Sequence, residues 1–158
     1  MITKLDTARE IAAPMIKRHE GKRLETYVDP VGINTIGYGH TGSAAFTGNK
    51  ITAGQANTLL NLDMATAQKP LKPFNEALNP NQLAALTSFV FNVGVGAFQG
   101  STLRQKLIAR DYRAAANQLT RWNKGTINGQ KVELRGLTKR RAEERELFLT
   151  PYTTEKKK

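Results

Sequence analysis

Between residues 24 and 40 the helical periodicity that governs most of this chain gives way to a different pattern. Tyr27-Val28-Asp29-Pro30-Val31-Gly32-Ile33-Asn34-Thr35-Ile36-Gly37-Tyr38-Gly39-His40 is rich in β-branched and aromatic residues and is broken by Gly and Pro. Such residues fit a pleated, half-buried surface and lose side-chain freedom in a helix. Asp29-Pro30-Val31-Gly32 has the chemistry of a type I turn, with Asp first, Pro second and Gly fourth. A small antiparallel sheet is therefore expected here, and no second one. The fold class is α+β and helix-dominated.

The helices announce themselves by their starts and stops. Thr7-Ala8-Arg9-Glu10 has capping-box form, and Ala8, Ile11, Ala12, Met15 and Ile16 recur at helical spacing. Pro14 inside that stretch would remove a hydrogen bond and clash with the preceding turn, at a cost of ~3 kcal/mol. Two short helices are expected instead, the second ending at Glu20 before Gly21. Thr52-Ala53-Gly54-Gln55 opens a further helix, ended or bent by Pro70 and Pro73, and Asn79-Pro80-Asn81-Gln82 caps a strongly apolar one. Gly94-Val95-Gly96 breaks it, and three more helices are expected near 101–109, 111–123 and 138–149.

A chain of 158 residues with 39% hydrophobic and 23% charged residues suits one soluble domain with a true core. It has no cysteine, which excludes disulfides, thiolate-held zinc and a thiol nucleophile. No run approaches the ~20 apolar residues of a membrane span, and Met1-Ile2-Thr3-Lys4-Leu5-Asp6 has no apolar core of a signal peptide. The charge of +11 is uneven: net +2 over residues 1–100 and net +9 over residues 101–158. A basic C-terminal half points to a polyanionic partner, whether nucleic acid, acidic headgroups or cell wall. Lys156-Lys157-Lys158 reads as a solvated, frayed tail.

The residues with chemical promise are Glu20, Asp29 and Thr35. Glycoside hydrolysis commonly uses one acid to protonate the leaving oxygen and a second carboxylate to activate water or attack the sugar. Glu20 at a helix C-terminus faces the negative end of the dipole, which suits a general acid. Asp29 heads a turn whose N–H groups favour a carboxylate. The spacing alone is equally compatible with a helix-end charge and an ordinary turn Asp. His19 and His40 lack metal-ligand spacing, so no metal or other cofactor is expected. In a tight hairpin Thr35 would point to the opposite face from Asp29, so either Asp29 leaves the strand or the turn is wider than two residues.

Glu20-x8-Asp29-x5-Thr35, within His19-Glu20-Gly21 and Thr35-Ile36-Gly37-Tyr38-Gly39-His40, resembles the catalytic signature of the phage-type lysozymes. Further blocks resemble the family in the same order: Thr52-x-x-Gln55, Phe91-Asn92-Val93-Gly94, Gly96-Ala97-Phe98 with Ser101, Arg121-Trp122, and Gly136-Leu137-Thr138-Lys139-Arg140-Arg141 leading into Glu144-Arg145-Glu146-Leu147-Phe148. The likeness spans roughly residues 14–151. It implies one lysozyme-like catalytic domain over residues 1–158. A small β lobe (roughly 14–55) would join a helical lobe (roughly 70–151) through a long helix (roughly 53–69), with a basic tail at 152–158.

The resemblance also implies roles. Glu20 would be the acid, and Asp29, with Thr35 holding the water, would direct attack with inversion. Arg141 would support the acid from the other lobe, with Arg140 the competing candidate. Thr41, Phe91, Ser101 and Asn117 would line the sugar groove. The implied activity is that of an endolysin cutting the β-1,4 bond between N-acetylmuramic acid and N-acetylglucosamine in peptidoglycan. The enzyme would be a monomer held in the host cytoplasm until the membrane is breached, then acting in the periplasm, with no stable membrane insertion and no nucleic-acid partner. Anionic envelope polymers would engage its basic half. Two alternatives stand beside this reading: a basic helical nucleic-acid-binding module, for which helix-turn-helix, RNP and zinc-finger signals are missing, and a lytic transglycosylase on the same fold.

Overall fold

The computed structural model describes residues 1–153; the Lys156–Lys158 tail lies outside the described residues. α1 (Lys4–Glu20) leads into a hairpin of β1 (Arg23–Val28) and β2 (Asn34–Gly37). α2 (Ala53–Gln68) follows and tightens into a 3-10 turn over Lys69–Phe74. α3 (Pro80–Val93), α4 (Val95–Gln99), α5 (Thr102–Ile108) and α6 (Tyr112–Leu119) come next. A second hairpin, β3 (Lys124–Ile127) and β4 (Gln130–Glu133), precedes α7 (Arg135–Leu149).

α1 is one continuous helix, which corrects the expected break at Pro14. Pro14 lies on the exposed face, so its ring meets solvent. Ala8, Ala12, Met15 and Ile16 form a buried stripe that runs through both halves. Burying Met15 and Ile16 alone is worth about 1.5–3 kcal/mol each, which offsets the proline penalty. The helix also starts earlier than expected. Thr3 and Asp6 form the capping box, Asp6 N–H donating to Thr3 Oγ1 at 3.0 Å and Thr3 N–H to Asp6 Oδ2 at 2.9 Å, while Thr7 is already in the first turn.

The later caps follow the sequence. Thr52 with Gln55 and Asn79 with Gln82 make complete capping boxes. α2 reaches across the molecule: near its start Ala56 packs under Gly37, while Leu60, Met64 and Ala67 enter the main apolar cluster. That cluster is built on α3 and receives Ala8, Ala12 and Ile16 from α1 and Phe148 from α7. Trp122 closes one side, its ring edge-on to Phe89 at 5.4 Å.

The β3–β4 hairpin was not expected. Ile127 pairs with Gln130 around a two-residue turn in which Asn128 and Gly129 have φ of 52° and 79°. Positive φ at both positions is what a type I′ turn requires, and Asn-Gly supplies it. This hairpin shortens the expected 111–123 helix, which stops at Leu119, and α7 starts at Arg135 rather than near 138. The break at Gly94 is real (φ 97°), yet Val95–Gln99 resumes as a short helix.

In the first hairpin Tyr27 opposes Thr35 and Val28 opposes Asn34, leaving residues 29–33 as a five-residue turn. Asp29 N–H donates to Ile33 O and Gly32 N–H to Asp29 O, both at 2.9 Å. The wider turn resolves the face problem, because Asp29 no longer follows the pleat.

Candidate active site

Glu20 is the last residue of α1, released into the β lobe by Gly21, whose φ of 74° is open to glycine without strain. Its side chain is 22% exposed. On one side it meets Gly39, just after β2, where a Cβ would lie 2.7 Å from Glu20 Oε1. Only a residue without a side chain lets the carboxyl sit there. On the other side Arg140 Nη1 donates to Glu20 Oε2 at 2.9 Å.

The arginine that reaches Glu20 is thus Arg140, which corrects the expectation of Arg141. The two are adjacent on α7, so a rotation of ~100° separates their directions. Arg141 is fully buried, stacks over the Phe89 ring at 5.1 Å and pairs with Glu144, its Nε 2.8 Å from Oε1. Arg140 is held from behind as well: Nη2 donates to Ser88 O at 3.3 Å, and Nε lies 3.4 Å from Glu144 Oε2. Burial pushes the Glu144 carboxyl up from its ordinary range, against the pull of Arg141, Ser88 and Arg140.

Asp29 is fixed by its own turn. Its Oδ1 accepts from the backbone N–H groups of Val31 and Ile33, both at 2.9 Å. Thr35 is buried and donates its hydroxyl to Ile33 O at 3.0 Å. Ile33 therefore ties Asp29 to Thr35 through its backbone, one through N–H and the other through C=O.

Gly39 also lines a cleft of about 260 Å³ with Asp63, Thr66, Val90, Phe91 and Val95, so Phe91 faces it as a half-buried wall. A larger groove of about 760 Å³ runs along Lys22–Thr26, Lys50 and Ile51. It holds one carboxylate, Glu25, and lacks the paired acids that the chemistry needs.

The other expected groove residues are not in the lining of that cleft. Thr41 is exposed in the loop after His40. Ser101 is 4% exposed and is spent as the cap of α5, donating to Phe98 O and accepting from Arg104 N–H. Asn117 accepts from Arg145 Nε at 3.0 Å. Arg145 lies five residues beyond Arg140 on α7 and so faces well away from it. Neither Ser101 nor Asn117 lines the Gly39–Phe91 cleft.

His19 is engaged with Glu143 at 3.2 Å and His40 with Asp63 at 2.8 Å. Among the described residues no group of three His, Asp or Glu side chains could hold a metal ion, and no helix is long and apolar enough to cross a membrane. Sequence reasoning missed Ser88, Asp63 and Glu144. The spacing of Glu144 from Arg140 and Arg141, four and three residues, was the available signal for the last.

Residues 17–144 match the phage lysozyme family. The chain is 42% identical over 135 residues to an endolysin of Acyrthosiphon pisum secondary endosymbiont phage 1, covering 85% of this chain and 92% of that protein. It is 40% identical over 131 residues to a SAR-endolysin of bacteriophage PS34, covering 82% and 76% respectively. Among solved structures, the muramidase domain of SpmX from Asticaccaulis excentricus aligns with a TM-score of 0.82 and 36% identity, over 89% of this chain and 96% of that one.

Proposed function

The chain belongs to the phage lysozyme family, and on that premise we propose that Glu20 is the general acid of its hydrolytic site and Asp29 the second carboxylate. The protein is a glycoside hydrolase of the lysozyme type, an endolysin whose substrate is bacterial peptidoglycan. Neither a nucleic-acid-binding module nor a transglycosylase is favoured by this kinship.

The observation that carries the assignment of roles is the clamping of Glu20 between Gly39 and Arg140. The acid is fixed on two sides, and the cleft that Gly39 lines is where a glycosidic oxygen would be presented to it. Asp29 binds its turn through Oδ1, leaving Oδ2 without a hydrogen bond among the described residues. That oxygen would take the proton of an attacking water. The Thr35 proton is committed to Ile33 O, so its hydroxyl would accept from the same water rather than donate to it. Attack on the face opposite Glu20 gives inversion. The bond cut would be the β-1,4 link between N-acetylmuramic acid and N-acetylglucosamine.

Two finer readings go with this. The enzyme would act as a monomer that waits in the host cytoplasm and meets the wall once the membrane is opened. Its basic half would add contacts to anionic envelope polymers. Clearing of chloroform-treated Gram-negative cells, with intact cells as the comparison, tests the route. Glu20→Gln tests the chemistry: clearing is lost while circular dichroism stays unchanged. Undiminished clearing in that variant removes Glu20 from the mechanism. Mass analysis of the muropeptides separates hydrolysis, which leaves a reducing end, from transglycosylation, which leaves an anhydro end.

A further inference from the structure

We propose that Glu144 is a positioning residue for the hydrolytic site: a buried carboxylate on α7 that holds Arg140 against Glu20 and shares its charge. The proposal rests on the reading of Glu20 as the acid.

Glu144 has no solvent exposure. Its Oε2 accepts from Ser88 Oγ at 2.6 Å and from Arg141 Nη2 at 3.1 Å, and lies 3.4 Å from Arg140 Nε. Oε1 lies 2.8 Å from Arg141 Nε. Stability is a poor reason for such an arrangement, because well-packed apolar side chains commonly do as well or better in place of a buried ion pair. Its consequence for the site is direct. Arg140 is planar and forked: Nη1 donates to Glu20, Nη2 donates to Ser88 O, and Nε makes no hydrogen bond but lies at ion-pair distance, 3.4 Å, from Glu144 Oε2. A fork held by two hydrogen bonds, with a buried opposite charge behind its third nitrogen, is restrained from turning away from the acid.

The groups around Arg140 come from three helices. Glu20 faces it from α1, with His19 beside Glu20 engaged by Glu143. α3 contributes the Ser88 hydroxyl and carbonyl and the Phe89 ring under Arg141. α7 contributes Arg141 and Glu144 themselves. Two guanidinium groups, which stay protonated in proteins, face two carboxyl groups, Glu20 and Glu144. Without Glu144 the Arg140 charge would act on Glu20 alone.

The test uses Glu144→Gln and, because a lone buried cation would threaten folding, the charge-balanced double variant Glu144→Gln with Arg141→Met. Glu143→Gln, on the neighbouring solvent-facing link, serves as control. Rates on purified peptidoglycan are measured across pH at a temperature where circular dichroism shows each variant folded. In the double variant kcat should fall about ten- to a hundredfold, with KM held within about twofold. The alkaline limb of its activity profile should move to lower pH. A kcat equal to that of the parent, or one reduced with an unmoved limb, would make Glu144 purely structural and overturn the proposal. Glu20→Gln is run in parallel: full activity there sinks the acid assignment itself, whereas inactivity there with normal Glu144 variants sinks only the positioning role.

Discussion

Arg140 Nη1 donates to Glu20 Oε2 across 2.9 Å, so the last helix holds the residue with which the first helix ends. Its neighbour Arg141 makes no hydrogen bond or ion pair with Glu20 and spends its guanidinium on Glu144 and the Phe89 ring. The two arginines should therefore fail in different ways. Removing either leaves Glu144 short of a buried partner, at about 3–5 kcal/mol of stability. Arg140→Ala should also cut kcat at least tenfold at a temperature where both variants are folded. Arg141→Ala should keep activity within a few-fold of the parent there. Equal activity losses in the two folded variants would contradict the division of labour.

Gly39 is a steric prediction. Its φ of +79° alone makes any side chain strained, at about 1–2 kcal/mol. Gly48, with φ of +86° and nothing within 4 Å of a Cβ, carries the same backbone cost and no clash. Gly39→Ala and Gly48→Ala should thus lower the unfolding midpoint by similar amounts. Only Gly39→Ala should lose activity, by about a hundredfold if the Glu20 carboxyl moves ~1 Å. Activity that survives in Gly39→Ala would show that the carboxyl has room to give way without consequence.

Much of this arrangement is legible in the sequence, and the reasons for the failures are physical. Local chemistry reads well: Thr52 and Asn79 cap as their side chains require, and Gly21 stops α1 at Glu20. Asn128-Gly129 carried an equally plain hairpin signal, but the polar strands around it obscured it, since Lys124, Gln130, Lys131 and Glu133 lack apolar alternation. Pro14 misled because propensity sees the lost hydrogen bond and not the buried stripe that holds both halves of α1. The choice between Arg140 and Arg141 turns on one residue of helical phase, and resemblance of blocks cannot fix a phase.

Acid stability should depend on Glu143. Burial works to raise this carboxyl, but hydrogen bonds from Arg18 and His19, with their charges, outweigh it and hold it below its ordinary range. A carboxylate held low in the folded state stabilises fully above its unfolded value of about 4.3, and loses that contribution as pH falls through the folded value. The link joins α1 to α7, Arg18 Nη2 at 2.9 Å and His19 Nε2 at 3.2 Å from Glu143 Oε1. Glu143→Gln should have a lower unfolding midpoint at pH 7, and the gap to the parent should close below about pH 4. A gap that stays constant down to pH 3 would mean that the link does not titrate with the fold.

With Asp29 proposed as the second carboxylate, its charge and its structural role can be separated. Its Oδ1 serves the turn, accepting from Val31 and Ile33, and an amide oxygen at the same place can accept both bonds. Asp29→Asn should therefore keep the five-residue turn and its unfolding midpoint, while removing the group that takes the proton of the attacking water. A loss of about 10²–10⁴ in kcat is expected, the range of a positioned general base. Asp29→Ala loses both functions, so it should unfold earlier by the equivalent of about 1–3 kcal/mol for N–H groups left without an acceptor. Thr35 provides the internal comparison, because Thr35→Ser keeps the hydroxyl that bonds Ile33 O and should retain most activity. If Asp29→Asn were as active as the parent with its turn intact, the charge at this position would have no part in the reaction and the second carboxylate would have to be sought elsewhere.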